Sequence, residues 1–270
     1  MNFFGKYRGK VTANKDPLNL GRVQVSVPAI FGDEKNSWAL PCTPYAGKDI
    51  GLFMIPPIQT NVWVEFEGGD PDYPIWSGCF WGEKELPKNA QVSDPDKVQI
   101  FQTAGITLTL SNLEEKSVKK GITLEVTKPV VEKPLTLVFN KDGIELNNND
   151  ITTAKLLADT IELKNGDATL ITLAKDSIQL KEQSIEIKLT QNSIELVCNP
   201  ASVKLSTSAG IALANNPASA KLSSSGIELS STPASVKVAA SGVEANSGGL
   251  GAIKISPASV NVNSGALEVT

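Results

Sequence analysis

From about residue 99 to the end of the chain, apolar residues come in pairs two positions apart, with a polar residue between them. "NPASVKL" at 199–205 returns as "NPASAKL" at 216–222, "TPASVKV" at 232–238 and "SPASVNV" at 256–262. "GIAL", "GIEL" and "GVEA" sit between these copies, at 210–213, 226–229 and 242–245. The first apolar residues of successive units are Val203, Ile211, Ala220, Ile227, Val236, Val243, Ile253, Val260 and Leu267. A looser version of the same beat runs upstream through Ile161, Ile171, Ile178, Ile185 and Ile194. A period of two is strand alternation, with one face apolar and the other polar. Gly, Ser, Asn and Pro fill the gaps, the residues that turn a chain at little cost. Short strands joined by short corners at a fixed octad period predict a solenoid or a prism.

Four prolines of the repeats, Pro200, Pro217, Pro233 and Pro257, are spaced by 17, 16 and 24. One interval, Val243 to Ile253, is stretched by "NSGGLG", which predicts a small outward insertion. Two modest aliphatic side chains per octad supply too little apolar area for one chain to enclose a core. Several chains wound together, each strand pairing with strands of other chains, would bury that area along a common axis. Three chains around a triangular prism is the expected solution. A single-chain solenoid with two strands per sixteen-residue turn would show similar spacing, and the repeat alone leaves both open. Small residues (Ala, Ser, Gly) prevail towards the end, as a taper requires. Irregular spacing over 99–160, with "EEKSVKKG" and "NNND", predicts looser loops there.

The first part of the chain has a different rhythm. Residues 5–31 predict two strands around a turn, with Asp16-Pro17 and Gly21 at the bend and Val23, Val25 and Val27 alternating. "SWALPC" and "GLFMI" predict two shorter strands, and "NVWVEFEG" with "PIWSGCFW" predicts a hairpin around Gly68-Gly69-Asp70-Pro71. Five short strands within about eighty residues suit a small Greek-key barrel of the OB type. The expected fold is therefore all-β: an OB barrel over 1–85, a polar linker over 86–98 with Pro87 and Pro95, and an intertwined trimeric β-helix over 99–270.

Composition narrows the chemistry. The 270 residues carry a formal charge of −4, and an acidic balance argues against broad affinity for nucleic acid. There is no histidine, which excludes Ser-His-Asp and Cys-His catalysis and every histidine-containing zinc site. Cys42, Cys79 and Cys198 have no paired spacing and are expected to be buried thiols; Cys198 shares strand parity with Ile194 and Leu196. Every aromatic residue lies at or before Phe139, so aliphatic side chains alone must fill the interior of the second part. The amino terminus, MNFFGKYRGK, lacks the apolar core of a signal peptide, and no apolar run is long enough to cross a bilayer. Synthesis in the cytoplasm is expected.

Segment 65–81, "EFEGGDPDYPIWSGCFW", is the most crowded stretch. A glycosidase-like pair among Glu65, Glu67, Asp70 and Asp72 would need two carboxylates held across a cleft. These four fall instead on one side of a predicted strand and in a turn. Trp63, Phe66, Tyr73, Trp76 and Trp81 could stack bases, yet residues 61–83 hold five acids and no Lys or Arg. The expected role is scaffold, with aromatics packed inward or between chains. No catalytic, cofactor or metal site is expected.

"YRGKVTANKDPLNLGRVQVSVP", "WALPCTPYAG" and "PPIQTNVWVEFEGGDPDYPIWSGCFW" together resemble the OB module of phage baseplate spike proteins, the baseplate assembly protein V and VgrG group. The resemblance covers about residues 5–82 and rests on Asp16, Pro17, Gly21, Trp38, Pro41, Trp63, Gly68, Gly69, Asp70, Pro71, Pro74, Trp76 and Gly78. It implies a homotrimeric, non-enzymatic, membrane-puncturing spike at the centre of a contractile tail-like baseplate. The implied partners are a separate hub protein and a PAAR-type tip protein seated on Leu267, Glu268, Val269 and Thr270. It implies no cofactor, no nucleic acid, transient contact with a target membrane, and a final location in a phage tail or tail-like particle. Neither the fused lysozyme of some spikes nor the hub domains of VgrG proteins is expected in this sequence. The rival expectation is a β-solenoid adhesin or carbohydrate-processing protein with the barrel as its ligand module.

Overall fold

A computed structural model of the chain describes residues 2–32, 35–113, 120–149, 151–249, 251–263 and 266–269. The fold is almost entirely β and divides into two compact units, 1–91 and 92–270.

In the first unit, β1 (Tyr7–Ala13), β2 (Val23–Ser26) and β3 (Asn36–Pro41) are followed by two two-residue strands, β4 (Ala46–Gly47) and β5 (Ile50–Gly51), then β6 (Asn61–Phe66) and β7 (Pro74–Cys79). Strands β1, β2, β3, β7 and β6 close in that order into a barrel, with β3 and β7 parallel and every other contact antiparallel. Valines at alternate positions point inward. Val11, Val23, Val25, Val27, Val62 and Val64 are wholly buried, with Ala39, Phe66 and Trp76 completing the core. The expected strand over "GLFMI" does not form. Only Gly51 of that segment is in a ladder, and Leu52 turns back so that its N–H donates to the Tyr45 carbonyl at 2.8 Å. Pro56 and Pro57 follow at once and remove the donors that a longer strand would need. Glu67 likewise leaves the strand and opens a 3-10 turn, Glu67–Gly69.

The second unit is one antiparallel meander from Val98–Gln102 to Leu267–Val269, each strand pairing with its neighbours along the chain. Six-residue strands plus two-residue corners account for the octad, and each inner strand pairs on both sides with its neighbours along the chain. Asn199-Pro200, Asn216-Pro217 and Thr232-Pro233 are the corners on one long edge, between Cys198 and Ala201, Asn215 and Ala218, and Ser231 and Ala234. Spacings of 17 and 16 are two octads and return the chain to the same edge. The spacing of 24 is three octads, so Pro257 belongs to the corner on the opposite edge, between Ile255 and Val260.

Strands that begin with glycine do so for a steric reason. Gly226 has φ 136°, and a Cβ there would lie 2.0 Å from the Val238 carbonyl oxygen on the next strand. The same collision recurs at Gly143, Gly210 and Gly242. In the early region Leu135–Asn140, Gly143–Asn148 and Thr152–Leu157 pair in full six-residue registers, while a longer loop over 127–134 separates Val126 from Leu135. "NNND" ends a strand at Asn148 and turns at Asn149, while most of "EEKSVKKG" lies outside the described residues. "NSGGLG" forms a small loop closed by the Ser247 N–H on the Gly251 carbonyl at 2.9 Å.

Candidate functional site

Three features of the structure carry chemistry or assembly: the turn built around Asp16, the aromatic side of the barrel, and the two faces of the meander.

The Asp16 carboxylate is the organising group of the turn between β1 and β2. It accepts from the backbone N–H groups of Leu18 (3.0 Å), Leu20 (2.7 Å) and Arg22 (3.2 Å), and from Arg22 Nε (3.1 Å) and Nη2 (2.7 Å). Its side chain is only 5% exposed. The Arg22 guanidinium holds the Asp16 carboxyl far below the usual carboxylate range, against the opposing effect of burial and with help from the three N–H donors. Asn19 and Gly21 take positive φ (52° and 73°) inside the turn, and the Arg22 guanidinium lies over the Trp38 ring at 5.4 Å. Asp16, Pro17, Gly21 and Trp38 thus belong to one structural unit.

The other barrel-motif residues gather around β6 and β7. Pro74 and Trp76 are buried, Pro41 pairs with Trp76 across the parallel ladder, and Gly78 sits on β7 with φ 141°. Gly68 and Gly69 supply positive φ, and a Cβ on Gly69 would meet the Phe4 ring at 2.9 Å. Asp70 accepts the Asp72 N–H across Pro71 at 3.0 Å, an Asx turn rather than a carboxylate pair aimed across a cleft. Trp63 stacks on Phe80 at 4.7 Å, and the Arg8 guanidinium lies 5.8 and 5.5 Å from the two rings. That arginine comes from β1, outside the acidic segment, and sequence spacing gave no hint of it. Tyr73 and Trp81 are exposed rather than packed inward on this chain, and Trp76 Nε1 is buried without an acceptor among the described residues.

All three cysteines are exposed, contrary to expectation. Cys42 and Cys79 flank the barrel ends of β3 and β7, where partial burial pushes the Cys79 thiol up. Cys198 stands between Ile185 and Ala201 beside a proline corner, on the same face as Ile194 and Leu196. Among the described residues, no three of His, Cys, Asp and Glu gather as a metal site requires.

The faces of the meander are sharply unlike. Antiparallel register lines the aliphatic residues into two continuous columns on one face. One runs Leu180, Ile187, Leu196, Val203, Leu213, Ala220, and its companion runs Ile178, Leu189, Ile194, Leu205, Ile211, Leu222. Leu196, Leu213 and Leu229 remain 42%, 44% and 50% exposed. An open hollow of about 580 Å³ runs along this face by Leu196, Val203 and Leu213. On the reverse face the central column alternates in charge: Lys188, Glu195, Lys204, then Lys221, Glu228, Lys237, Glu244 and Lys254. Lys204 Nζ lies 3.7 Å from Glu195, and Lys237 Nζ 3.4 Å from Glu228. A charged face backed by a continuous, partly exposed aliphatic face is the pattern of a contact surface.

The terminal strand, Leu267–Val269, pairs with Val260–Val262, with Leu267 opposite Val262 and Val269 opposite Val260. Leu267 is exposed. Glu268 is opposite Asn261, and Thr270 lies outside the described residues.

Comparison with known proteins adds three matches. Residues 7–81 match the type VI secretion system/phage-baseplate injector OB domain, and residues 202–268 match the phage baseplate V C-terminal trimerisation domain. Over 64 residues the chain is 39% identical to the type VI secretion system spike protein VgrG4b of Pseudomonas aeruginosa. That match spans 22% of this chain and 8% of VgrG4b, so the chain corresponds to a small part of that relative. The five-stranded barrel coincides with the first matched domain and the last part of the meander with the second, and the chain belongs to the phage baseplate V and VgrG-type spike proteins.

Proposed function

We propose that three copies of this chain form the central, non-enzymatic spike of a contractile tail-like injection machine. One observation carries the reading: a continuous, partly exposed aliphatic face that runs into a segment matching a trimerisation domain. Three such sheets turned inward bury the aliphatic columns along one axis and leave the Lys/Glu columns outside. Each side chain buried in this way contributes on the order of 1 kcal/mol, and the sum over the meander is large. Stiffness follows, because bending must break many ladder bonds together. The spike is assembled in the cytoplasm, takes its place below a separate hub protein, and crosses a target membrane only while the sheath contracts.

A PAAR-type tip protein caps the end at Leu267, Glu268, Val269 and Thr270, where the last strand offers a free edge that needs covering. Truncation after Ala266 is expected to abolish tip binding while the trimer persists; retained binding would move the seat elsewhere. The whole reading is tested by electron microscopy of the purified chain. About twenty strand spacings of ~4.8 Å predict a rod of roughly 100 Å. A rod half that length would contradict it. The adhesin or carbohydrate-processing alternative has no separate support from the ladder, whose matched segment 202–268 carries neither an aromatic nor an aspartate residue.

A further inference from the structure

The segment between β3 and β6 forms an ordered flap on the barrel. Ala46 pairs with Gly51 and Gly47 with Ile50. Leu52 N–H bonds to the Tyr45 carbonyl, and Thr43 Oγ1 donates to the Leu52 carbonyl at 3.1 Å. Despite this order the flap presents apolar side chains to solvent: Phe53 is 80% exposed, with Tyr45, Ile50 and Met54 near or above half. Its charges, Lys48 and Asp49, are adjacent and opposite. Between the flap and β7 lies an open cavity of about 620 Å³, bordered by Leu20, Pro41, Phe53 and Trp76. A rigid, nearly uncharged apolar projection of this kind is a contact surface awaiting a partner.

We infer that this flap packs against the barrel of a neighbouring copy of the same chain. The inference rests on the trimeric reading above, and the tether supplies its argument. Residues 80–97 join the last barrel strand to the first ladder strand. Fully extended, they reach at most ~60 Å, and the 3-10 turns Lys88–Ala90 and Pro95–Lys97 shorten that. Three barrels so tethered to one ladder assembly meet at an effective concentration in the mM range. At that concentration even a weak apolar contact is occupied, whereas a separate protein must supply its own affinity. Three identical flaps, each meeting a different surface of the next barrel, also satisfy threefold symmetry by closing a ring.

The test replaces Phe53 with the photoreactive residue benzoylphenylalanine in the full chain. Irradiation of the assembled protein should join two copies covalently, with the crosslinked peptide mapping to residues 1–91 of the second. Phe53→Ser should leave the assembly mass unchanged yet raise amide exchange over residues 43–55 by about tenfold or more. A trimer that yields no crosslink between copies, or a crosslink only to a co-purified hub protein, overturns the inference while the trimer stands. A monomeric mass overturns the trimeric reading itself and removes this contact with it.

Discussion

Arg22 Nη2 donates to Asp16 Oδ1 at 2.7 Å, and the same carboxylate receives three backbone N–H groups of the turn that separates them in sequence. One buried charge thus sets the shape of the first hairpin. Asp16→Ala is expected to destabilise the barrel, leaving Arg22 without its partner and three N–H groups without an acceptor. Thermal unfolding followed by tryptophan fluorescence checks this, and an unchanged melting temperature would refute it.

The same pair predicts how the barrel responds to acid. Asp16 titrates lower in the folded chain than in the unfolded one, so the folded state binds fewer protons. Its stabilising contribution is complete above the ordinary aspartate value near 4 and is lost as pH falls towards the depressed folded value. Asp16→Asn should be less stable at neutral pH and show a shallower loss of stability below about pH 4. A variant as steep as the parent in acid would show that other carboxylates govern that limb.

Glycine at the head of a strand is a steric requirement in the ladder. At Gly226 an added Cβ would lie 2.0 Å from the Val238 carbonyl oxygen, and the φ of 136° is itself strained for any other residue. Gly226→Ala should cost about 1–3 kcal/mol or displace the strand locally. Ser225→Ala, in the preceding corner, should be near neutral. Comparison of their denaturation midpoints decides the matter, and equal midpoints would contradict the register described here.

The charged column is expected to tune register rather than supply bulk stability. Glu228 and Lys237 are opposite one another and 3.4 Å apart, but both are well exposed. Exposed pairs are worth up to about 1 kcal/mol. Glu228→Lys should destabilise modestly by placing like charges across the ladder from Lys237 and Lys221. The double swap Glu228→Lys with Lys237→Glu should recover only part of the loss, because each new charge then faces a like one on its other side. Full additivity of the two single variants would rule out coupling along the column.

The aliphatic columns should respond quite differently. Leu213→Asp places a charge where the assembled protein would be dry, at several kcal/mol per copy. It should block association, while Lys204→Ser on the reverse face should not. Sedimentation of the two variants distinguishes them, and an unaffected Leu213→Asp assembly would place the interface elsewhere.

Much of the fold was legible because it is periodic. The apolar pairs of the octads announce six-residue strands, and their parity separates Leu196 and Ile194 from Glu195. Valines 23, 25 and 27 did the same for the barrel. Partnership was harder to read. A six-residue strand and a two-residue corner fit either a chain folding back on itself or several chains interleaved, and the spacing alone does not say that Cys198 will stand opposite Ile185 and Ala201. Distant contacts also escaped notice. Nothing in the acidic stretch around Trp63 announces that Arg8 will arrive over its ring from another strand. Residue type alone favours the interior for cysteine, whereas Cys42, Cys79 and Cys198 stand at strand ends, where side chains leave the packed faces.

The most direct test is the molar mass of the full chain in dilute buffer, measured by light scattering on a size-exclusion column. Three times the 28.6 kDa chain mass is predicted, unchanged on dilution. A well-folded species at 28.6 kDa would mean that the aliphatic face needs no partner, and would contradict the account at its centre.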